Sequence, residues 1–187
     1  MLTLQRLESE SLELTQVNLI EVAHAAIDDA WAAAQRKQLV IKEKIPQTLS
    51  PIVADSEQMA RFFDNLLSNA IKFTPEGGQV IVQIKEEANQ MNIYVIDTGI
   101  GISPDKLGRL FARFYRASES HKKQIAGSGL GLSIVKAIVE AHGGQIVVRS
   151  REGQGSAFGF SFPKTGPDAG PVPPPELPDN PDQWLHL

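Results

Sequence analysis

Several features are scarce or absent in this 187-residue sequence, and each absence excludes a class of protein. There is no cysteine, which excludes disulfide bonds, thiolate metal sites and thiol catalysis, and which agrees with a reducing compartment. No apolar run approaches the roughly 20 residues of a membrane span, and no secretory leader follows Met1. The 18 basic and 22 acidic residues include no basic tract, so a nucleic-acid partner is not favoured. We therefore expect a soluble, cytoplasmic chain.

What is present indicates one globular domain. Hydrophobic residues make up 42% of the chain and charged residues 21%, both near the averages of folded proteins. Apolar residues recur with a helical period in three segments, 19–38, 56–74 and 128–142, and Asn18 and Asp55 are suitable N-caps for the first two. Strand patterns occupy 39–45, 79–87, 90–97, 145–150 and 156–163.

Three further segments lie outside this pattern. Residues 1–14 carry leucines at helical spacing and begin abruptly, so we expect a short amphipathic helix left over from a preceding domain. Residues 98–127 have no sustained period and are long enough to predict a functional lid. From Pro163 onward, 8 of the 12 prolines fall within 25 residues, and this composition predicts a disordered tail over 164–187.

The stretch GSGLGLSIVKAIVEAHGG, residues 127–144, places three alternate glycines before a helix. A helix N-terminus has unpaired N–H groups and a partial positive charge, so Gly127, Gly129 and Gly131 would leave room for a polyphosphate. A flexible hinge that leads into a core helix is the alternative. Leu132 and Ser133 follow Gly131, which excludes a Walker A loop and a dinucleotide fingerprint.

The stretch DTGIGIS, residues 97–103, follows a predicted strand. Asp97 is a carboxylate at the strand end, and Gly99 and Gly101 would let a flat ligand approach the backbone. A carboxylate there can accept a hydrogen bond from the exocyclic amino group of adenine. A turn with a solvated aspartate is the alternative for this motif taken alone.

The stretch NLLSNAIKF, residues 65–73, places two carboxamides and an ammonium on one stripe of a helix. At about 100° per residue, Asn69 lies about 40° from Asn65, and Lys72 lies about 20° to the other side. Carbonyl oxygen suits Mg²⁺, so an asparagine could hold a metal that bridges phosphates while Lys72 offsets their charge. Each asparagine alone is more typical of a surface or capping residue.

These motifs, together with LFARFYRA at 110–117, resemble in order and spacing the N, G1, F and G2 boxes of bacterial sensor histidine kinases, and GQGS at 153–156 resembles their G3 turn. The likeness covers about residues 18–163. It implies the ATP-binding catalytic domain of the GHKL (Bergerat) fold, an α/β two-layer sandwich with a mixed sheet of about five strands covered on one face by about three helices. By the same resemblance, residues 1–17 would be the remnant of the dimerisation-domain helix and its linker.

The resemblance also implies roles for individual residues. Asp97 would bind the adenine amino group, Asn69 and Asn65 would serve Mg²⁺ and phosphate, and Arg116 would stabilise charge on the transferring phosphoryl group. Phe111 and Phe114 would anchor the lid. The expected cofactors are ATP and Mg²⁺, and the remaining residues expected along the nucleotide are Lys72, Phe73, Gly99, Gly101, Ile102, Tyr115, Gly127, Ser128, Gly129, Leu130, Gly131 and Leu132.

One departure from the family concerns the phosphoacceptor. None of the four histidines, His24, His121, His142 and His186, precedes an acidic residue and a proline as the family's H-box histidine does. His142 stands where a helix ends and a positive charge is favoured. The chain should therefore deliver the γ-phosphate to a histidine on a separate dimerisation domain.

The expected partners follow from the same reading. The chain itself would be a monomer and a fragment, and its parent would be a homodimer that also meets a response regulator and could be membrane-anchored. Three alternatives remain open at this point: another GHKL ATPase, an anti-sigma-type serine kinase, and a degenerate nucleotide-binding module.

Overall fold

A five-stranded mixed sheet is the centre of the structure, a computed structural model that describes residues 11–112 and 129–187. In chain order its strands are β2 (Val40–Lys44), β4 (Gln79–Glu86), β5 (Gln90–Asp97), β6 (Gln145–Arg151) and β7 (Gly155–Pro163), and they lie side by side in the order β2-β4-β5-β7-β6. β2 and β4 run parallel, and the other neighbours run antiparallel. The mixed sheet of about five strands expected from the sequence is confirmed.

Three helices cover one face of this sheet. They are α1 (Leu19–Arg36), α2 (Ser56–Phe73) and α4 (Gly131–Ala141), and a short helix, α3 (Pro104–Leu107), precedes α4 in the chain. The caps of the first two are those predicted, because Asn18 accepts from the Ile20 N–H at 3.1 Å and Asp55 accepts from the Gln58 N–H at 3.0 Å. The predicted sandwich, with helices on one face, is therefore confirmed.

The core between the helices and the sheet is aromatic at its centre. Phe62 of α2 has no exposed surface, and its ring meets that of Phe160 on β7 edge-on, with centroids 4.8 Å apart. Phe63 and Phe162 approach the same ring in the same manner. Edge-to-face rings add specific attraction to burial, so these contacts fix how α2 lies on the sheet.

Residues 11–17 differ from the amphipathic helix predicted at the start of the chain. The described part contains a strand, β1 (Leu14–Val17), which pairs antiparallel with β3 (Ile52–Asp55). The Glu13 N–H also donates to the Asp55 carboxylate at 3.1 Å. The predicted helix is wrong for residues 11–14, where a local leucine pattern could not show a pairing partner about 40 residues away. Residues 1–10 lie outside the described residues, so the helix stays a prediction there.

The C-terminal segment, residues 164–187, is the second departure from prediction, because it packs on the other face of the sheet. Trp184, in α5 (Pro181–Trp184), is 2% exposed and belongs with Leu177 to an apolar cluster formed with β-sheet side chains such as Tyr94 and Ile96. The Trp184 Nε1–H donates to the Pro178 carbonyl at 2.7 Å. A proline-rich segment cannot form a hydrophobic core by itself, but this one packs against an apolar face that the sheet already provides.

His142, the C-cap of α4, connects two helices in the interior. Its Nε2 atom accepts from the Asp55 N–H at 3.0 Å, so Nδ1 carries the proton and donates to the Ile138 carbonyl at 2.8 Å. Burial lowers the pKa of His142 from its ordinary value, which opposes a charge here. The positive charge that the helix end favours was therefore a wrong expectation.

Replacing Trp184 with alanine tests the docking of the C-terminal segment. A buried tryptophan replaced by alanine costs about 3–5 kcal/mol, and we expect about 3 kcal/mol because a chain end can detach locally. Trp31→Ala is the matched control, since Trp31 is 52% exposed. Urea unfolding followed by circular dichroism measures both, and equal losses in the two variants would contradict the packing described.

Candidate active site

Asp97, the last residue of β5, is a buried carboxylate with two backbone donors. Its side chain shares the helix-facing side of the sheet with Ile93 and Val95, because side chains alternate along a strand, and the residue is 6% exposed. Oδ1 accepts from the Gly99 N–H at 2.8 Å. Burial raises the pKa of Asp97 to about 7, although backbone hydrogen bonds from Gly99 and Ser156 act to lower it.

The glycines that follow Asp97 are required by close backbone contacts. A Cβ atom on Gly99 would lie 2.4 Å from Asp97 Oδ1 and 2.7 Å from the Phe73 carbonyl oxygen. Gly101 has a φ of 68°, and a Cβ atom there would lie 2.0 Å from the Arg151 carbonyl oxygen. The Ile100 N–H, between these two glycines, donates to the Phe73 carbonyl at 3.2 Å.

The turn between β6 and β7 supports the loop after Asp97 from the other side. The Gly153 N–H donates to the Ile100 carbonyl at 2.7 Å, and the Ile102 N–H donates to Ser150 Oγ at 2.8 Å. A Cβ atom on Gly155, whose φ is 102°, would lie 2.0 Å from the Asp97 carbonyl oxygen. The turn at 153–156 therefore holds the loop at 97–102, and this part of the predicted lid is fixed to the sheet.

The asparagine stripe of α2 meets the glycine turn at the start of α4. A Cβ atom on Gly131 would lie 3.0 Å from Asn65 Oδ1 and 3.4 Å from Asn69 Nδ2. The Asn65 Nδ2–H donates to the Arg61 carbonyl at 2.7 Å, so the side-chain oxygen points towards Gly131. A carbonyl oxygen and an amide donor thus converge on Gly131, where a larger side chain would crowd both amides.

The N-terminus of α4 lies at the predicted glycine turn, although the helix begins later than predicted. It starts at Gly131 rather than Ser128, with Leu130 at the N-cap, and no side chain of the described residues caps it. Gly129 has a φ of 72°, a conformation that favours glycine, and Leu132 packs partly buried against the core.

Two further predicted residues lie at the C-terminal end of α2. Lys72 Nζ is 4.9 Å from the centroid of the Phe73 ring, within the range of a cation–π contact. Phe73 is 37% exposed and Ile100 is 52% exposed, so two apolar side chains remain open beside the Asp97 loop. A flat apolar ligand would cover both.

Helix α2 is what brings the three sequence motifs together. Asn69 approaches Gly131, and Phe73, four residues further on, approaches Gly99. Four residues of helix rise about 6 Å, so the glycine turn and the Asp97 loop meet the same helix about one turn apart. Tyr115, Arg116, Gly127 and Ser128, together with Phe114, lie outside the described residues, whereas Phe111 is partly buried against the core.

Two residues with a part in this geometry were not singled out from the sequence. Ser150 holds the loop after Asp97 and also donates to the Gly155 carbonyl at 2.9 Å. Lys37 donates from Nζ to backbone carbonyls at the end of α2. A serine within a strand and a lysine at the end of a helix are common surface residues, so no local signal distinguishes them.

A buried carboxylate at a strand end, an amide stripe and a glycine turn at a helix N-terminus, carried on an α/β sandwich, are the arrangement expected of an ATP-binding domain. The model of the family described as histidine kinase-, DNA gyrase B-, and HSP90-like ATPase matches residues 54–166, more than half of the chain. The chain belongs to this family.

Its curated relatives include sensor kinases. Adaptive-response sensory kinase SasA of Gloeothece citriformis (strain PCC 7424) is 43% identical over 130 residues, which are 69% of this chain and 33% of that protein. Sensor histidine kinase WalK of Bacillus subtilis (strain 168) is 34% identical over 139 residues, 73% of this chain and 23% of that protein. The chain thus spans a third or less of the length of both relatives.

Solved structures give the same assignment. Full-length ShkA in complex with AMPPNP matches with a TM-score of 0.76 and 29% identity, over 87% of this chain and 34% of that one. The catalytic domain of histidine kinase ThkA matches with a TM-score of 0.73 and 26% identity, over 84% of this chain and 99% of that one. The resemblance to sensor histidine kinase catalytic domains drawn from the sequence is confirmed.

Replacing Asp97 with asparagine tests the buried carboxylate through the pH dependence of stability. The folded pKa of about 7 lies above the ordinary value of 3.8, so the folded protein binds more protons in this window and loses stability as pH rises through about 7. Asp97→Asn removes this loss. We expect its melting temperature at about pH 8 to exceed that of the wild type by several degrees, since about 1 kcal/mol corresponds to roughly 2–4 °C in a chain of this size.

The control for Asp97→Asn is Asp28→Asn, an exposed position on α1 that removes the same charge. Scanning calorimetry between about pH 5 and pH 8 measures both variants. The difference in melting temperature between Asp97→Asn and the wild type should become smaller as pH falls. If this difference is absent at pH 8, or becomes larger as pH falls, burial does not disfavour the ionised carboxylate.

Proposed function

We propose that this chain is the ATP-binding catalytic domain of a two-component sensor histidine kinase and transfers the ATP γ-phosphate to a histidine on a dimerisation domain. The observation that carries the proposal is the approach of Gly131 to both Asn65 and Asn69, with the Asp97 loop bound to Phe73 on the same helix. The sensor kinases among its relatives support histidine as the acceptor over the serine of an anti-sigma-type kinase.

The adenine would bind at Asp97, where its amino group can donate to the carboxylate. Phe73 and Ile100 would lie against the base, because their exposed apolar side chains border this loop. Gly99 and Gly101 would leave the backbone open to the ring. Specificity would follow from the buried carboxylate, since a base without a donor at this position leaves it unpaired.

The phosphates would lie at the start of α4, over Gly129, Leu130 and Gly131. The first N–H groups of a helix have no partner within the helix and lie at its positive end, which favours an anion there. Asn69 Nδ2 would donate to a phosphate oxygen, and Lys72 would offset negative charge. Gly127, Ser128 and Leu132 would complete the turn that the resemblance assigns to the phosphates.

The residues at this turn fit Mg²⁺. Asn65 Oδ1 points towards Gly131, and an amide oxygen is a ligand that Mg²⁺ accepts alongside water and phosphate. Asn65 and Asn69 would hold the ion against the phosphates. The bound ion supplies charge neutralisation on the phosphate oxygens during phosphoryl transfer.

Tyr115 and Arg116 would reach the nucleotide from the lid. Arg116 would stabilise charge on the transferring phosphoryl group, a role suited to a guanidinium because it donates to two oxygens at once. Both assignments rest on the resemblance of LFARFYRA to the family's F-box.

The acceptor histidine would belong to a dimerisation domain, and the parent protein would be a homodimer. Within this chain, His142 is buried and holds the Asp55 N–H, and His24 is paired with Glu43 at 3.1 Å. A response regulator would then take the phosphoryl group. Histidine kinase ThkA in complex with response regulator protein TrrA, a structure that matches with a TM-score of 0.72 and 25% identity over 89% of this chain and 46% of that one, supports this partner.

The location of the parent protein follows from the same proposal. None of the helices in residues 11–112 and 129–187 combines the length and the apolar character that crossing a membrane requires. We place this domain in the cytoplasm, where ATP and a response regulator are available.

Titration calorimetry with Mg·ATP tests the nucleotide site. We expect micromolar binding by the wild type, at least about a hundred-fold weaker binding by Asp97→Ala because a charged partner is lost from a buried site, and about ten-fold weaker binding by Asn69→Ala. Asp179→Ala is the control. The Asp179 side chain is exposed, pairs with Arg149, and lies far in sequence from the loop that follows Asp97. Unchanged affinity in Asp97→Ala would refute the assigned pocket.

Radiolabelled ATP tests the direction of transfer. The chain alone should retain no label, whereas a dimerisation domain that carries an H-box histidine should become labelled when it is added in trans. The label should be stable to alkali and lost in acid, as expected of a phosphohistidine. Labelling of the chain itself, or of serine, would overturn the proposal.

A further inference from the structure

Lys37, just after the end of α1, reaches across to the C-terminal end of α2. Its Nζ atom donates to the carbonyls of Ile71 at 2.6 Å, Lys72 at 3.1 Å and Thr74 at 2.5 Å. The last carbonyls of a helix have no partner within the helix and lie at its negative end. An ammonium among them therefore forms hydrogen bonds with these carbonyls and also interacts favourably with the helix dipole. Lys37 therefore caps a helix to which it does not belong.

The carbonyl that lies between these three is the one that supports the Asp97 loop. Phe73 O accepts from the Ile100 N–H at 3.2 Å, and Gly99 lies directly beside it. Lys37 holds the Lys72–Phe73 peptide and the Thr74–Pro75 peptide through their carbonyls. These two peptides flank the one that carries Phe73 O, so Lys37 also restricts where this carbonyl points. The loop that carries the candidate adenine contacts is thereby tied to Lys37 through one peptide.

The main chain of Lys37 holds the segment after α2 as well. The Gly77 N–H donates to the Lys37 carbonyl at 3.1 Å. Two residues further, the Gln79 N–H donates to Thr98 Oγ1 at 2.9 Å, and the Thr98 N–H donates to the Gln79 carbonyl at 3.0 Å. Both neighbours of Gly99 in the chain, Thr98 and Ile100, are thus held by the segment that Lys37 clamps.

The turn that presents Lys37 is itself rigid. Gln38 adopts a φ of 53°, the one positive value of a non-glycine residue in the described part of the chain. The Leu39 N–H donates back to the Ala34 carbonyl at 3.0 Å, which closes the end of α1. The closed turn fixes the backbone of Lys37 in advance, so only its side chain has to be ordered when the ammonium binds the three carbonyls.

We propose that Lys37 is a positioning residue for the adenine end of the nucleotide site: it holds the last turn of α2 so that Phe73 O fixes the loop after Asp97. The proposal rests on the proposed function, since it presumes that the base binds at Asp97. Lys37 acts through Phe73 and Ile100, and the phosphate end at Gly131 lies about one helical turn away.

The test compares Lys37→Met with Lys44→Met. Methionine keeps an unbranched apolar stem and removes the ammonium in both variants. Lys44 is a matched control because its Nζ also donates to backbone carbonyls, those of Leu185 at 2.9 Å and Leu187 at 3.2 Å, on the C-terminal segment. The affinities of Mg·ATP and Mg·GTP are measured for each protein by titration calorimetry.

We expect Lys37→Met to bind Mg·ATP about ten-fold more weakly than the wild type, with little change for Mg·GTP, because only the base contacts are loosened. The ratio of ATP to GTP affinity should therefore fall. Lys44→Met should keep both affinities. In hydrogen exchange, the Ile100 amide of Lys37→Met should lose protection while the amides of the core keep theirs. General destabilisation would instead lower protection throughout the core.

The outcomes separate the two proposals. A wild type that does not bind Mg·ATP refutes the proposed function, whereas a binding wild type with an unchanged ATP-to-GTP ratio in Lys37→Met refutes the positioning role alone. Should Lys37→Met not fold, the same ratio is measured in Lys37→Arg, whose planar fork cannot direct its donors at three converging carbonyls as an ammonium does. A wild-type ratio in folded Lys37→Arg likewise refutes the role.

Discussion

The hydrogen bond from the Ile100 N–H to the Phe73 carbonyl joins the two parts of this site, and the rest of the arrangement depends on it. On one side of the bond is α2, whose position is set by the buried rings of Phe62 and Phe63. On the other side is the loop that follows Asp97. Because one helix carries the amide stripe and also receives the loop, the distance between the Asp97 loop and the Gly131 turn is set by helix geometry and not by loop conformation.

This arrangement places a carboxylate where burial makes its ionised form costly. Asp97 accepts two backbone N–H groups, yet its pKa remains near neutrality because the core around the end of β5 excludes water. A ligand that donates a hydrogen bond to this carboxylate would offset part of the cost of ionisation that the two backbone N–H groups do not offset. The cost in the unliganded protein is therefore part of how such a site distinguishes a base with a donor from one without.

The sequence predicted those elements whose signal is local. Helices α1 and α2 were found with their caps because side-chain periodicity and the N-cap residues Asn18 and Asp55 act within a few positions. The pairing of β1 with β3 and the reach of Lys37 to Ile71 escaped prediction, since the partners are more than 30 residues apart. The C-terminal segment escaped for another reason: its composition describes the segment alone, whereas its burial depends on the apolar face that Tyr94 presents.

The glycines near this site divide into two groups, those close to backbone atoms and one close to side-chain amides. Gly101 and Gly155 are confined by main-chain oxygens of the neighbouring turn and strand, so the fold itself demands them. Gly131 faces the amide groups of α2, so a side chain there would meet side chains and the space proposed for phosphate, and not the backbone. Under the proposed function, a related domain that no longer binds nucleotide could replace Gly131 and keep its fold, whereas replacement of Gly101 or Gly155 would disturb the backbone.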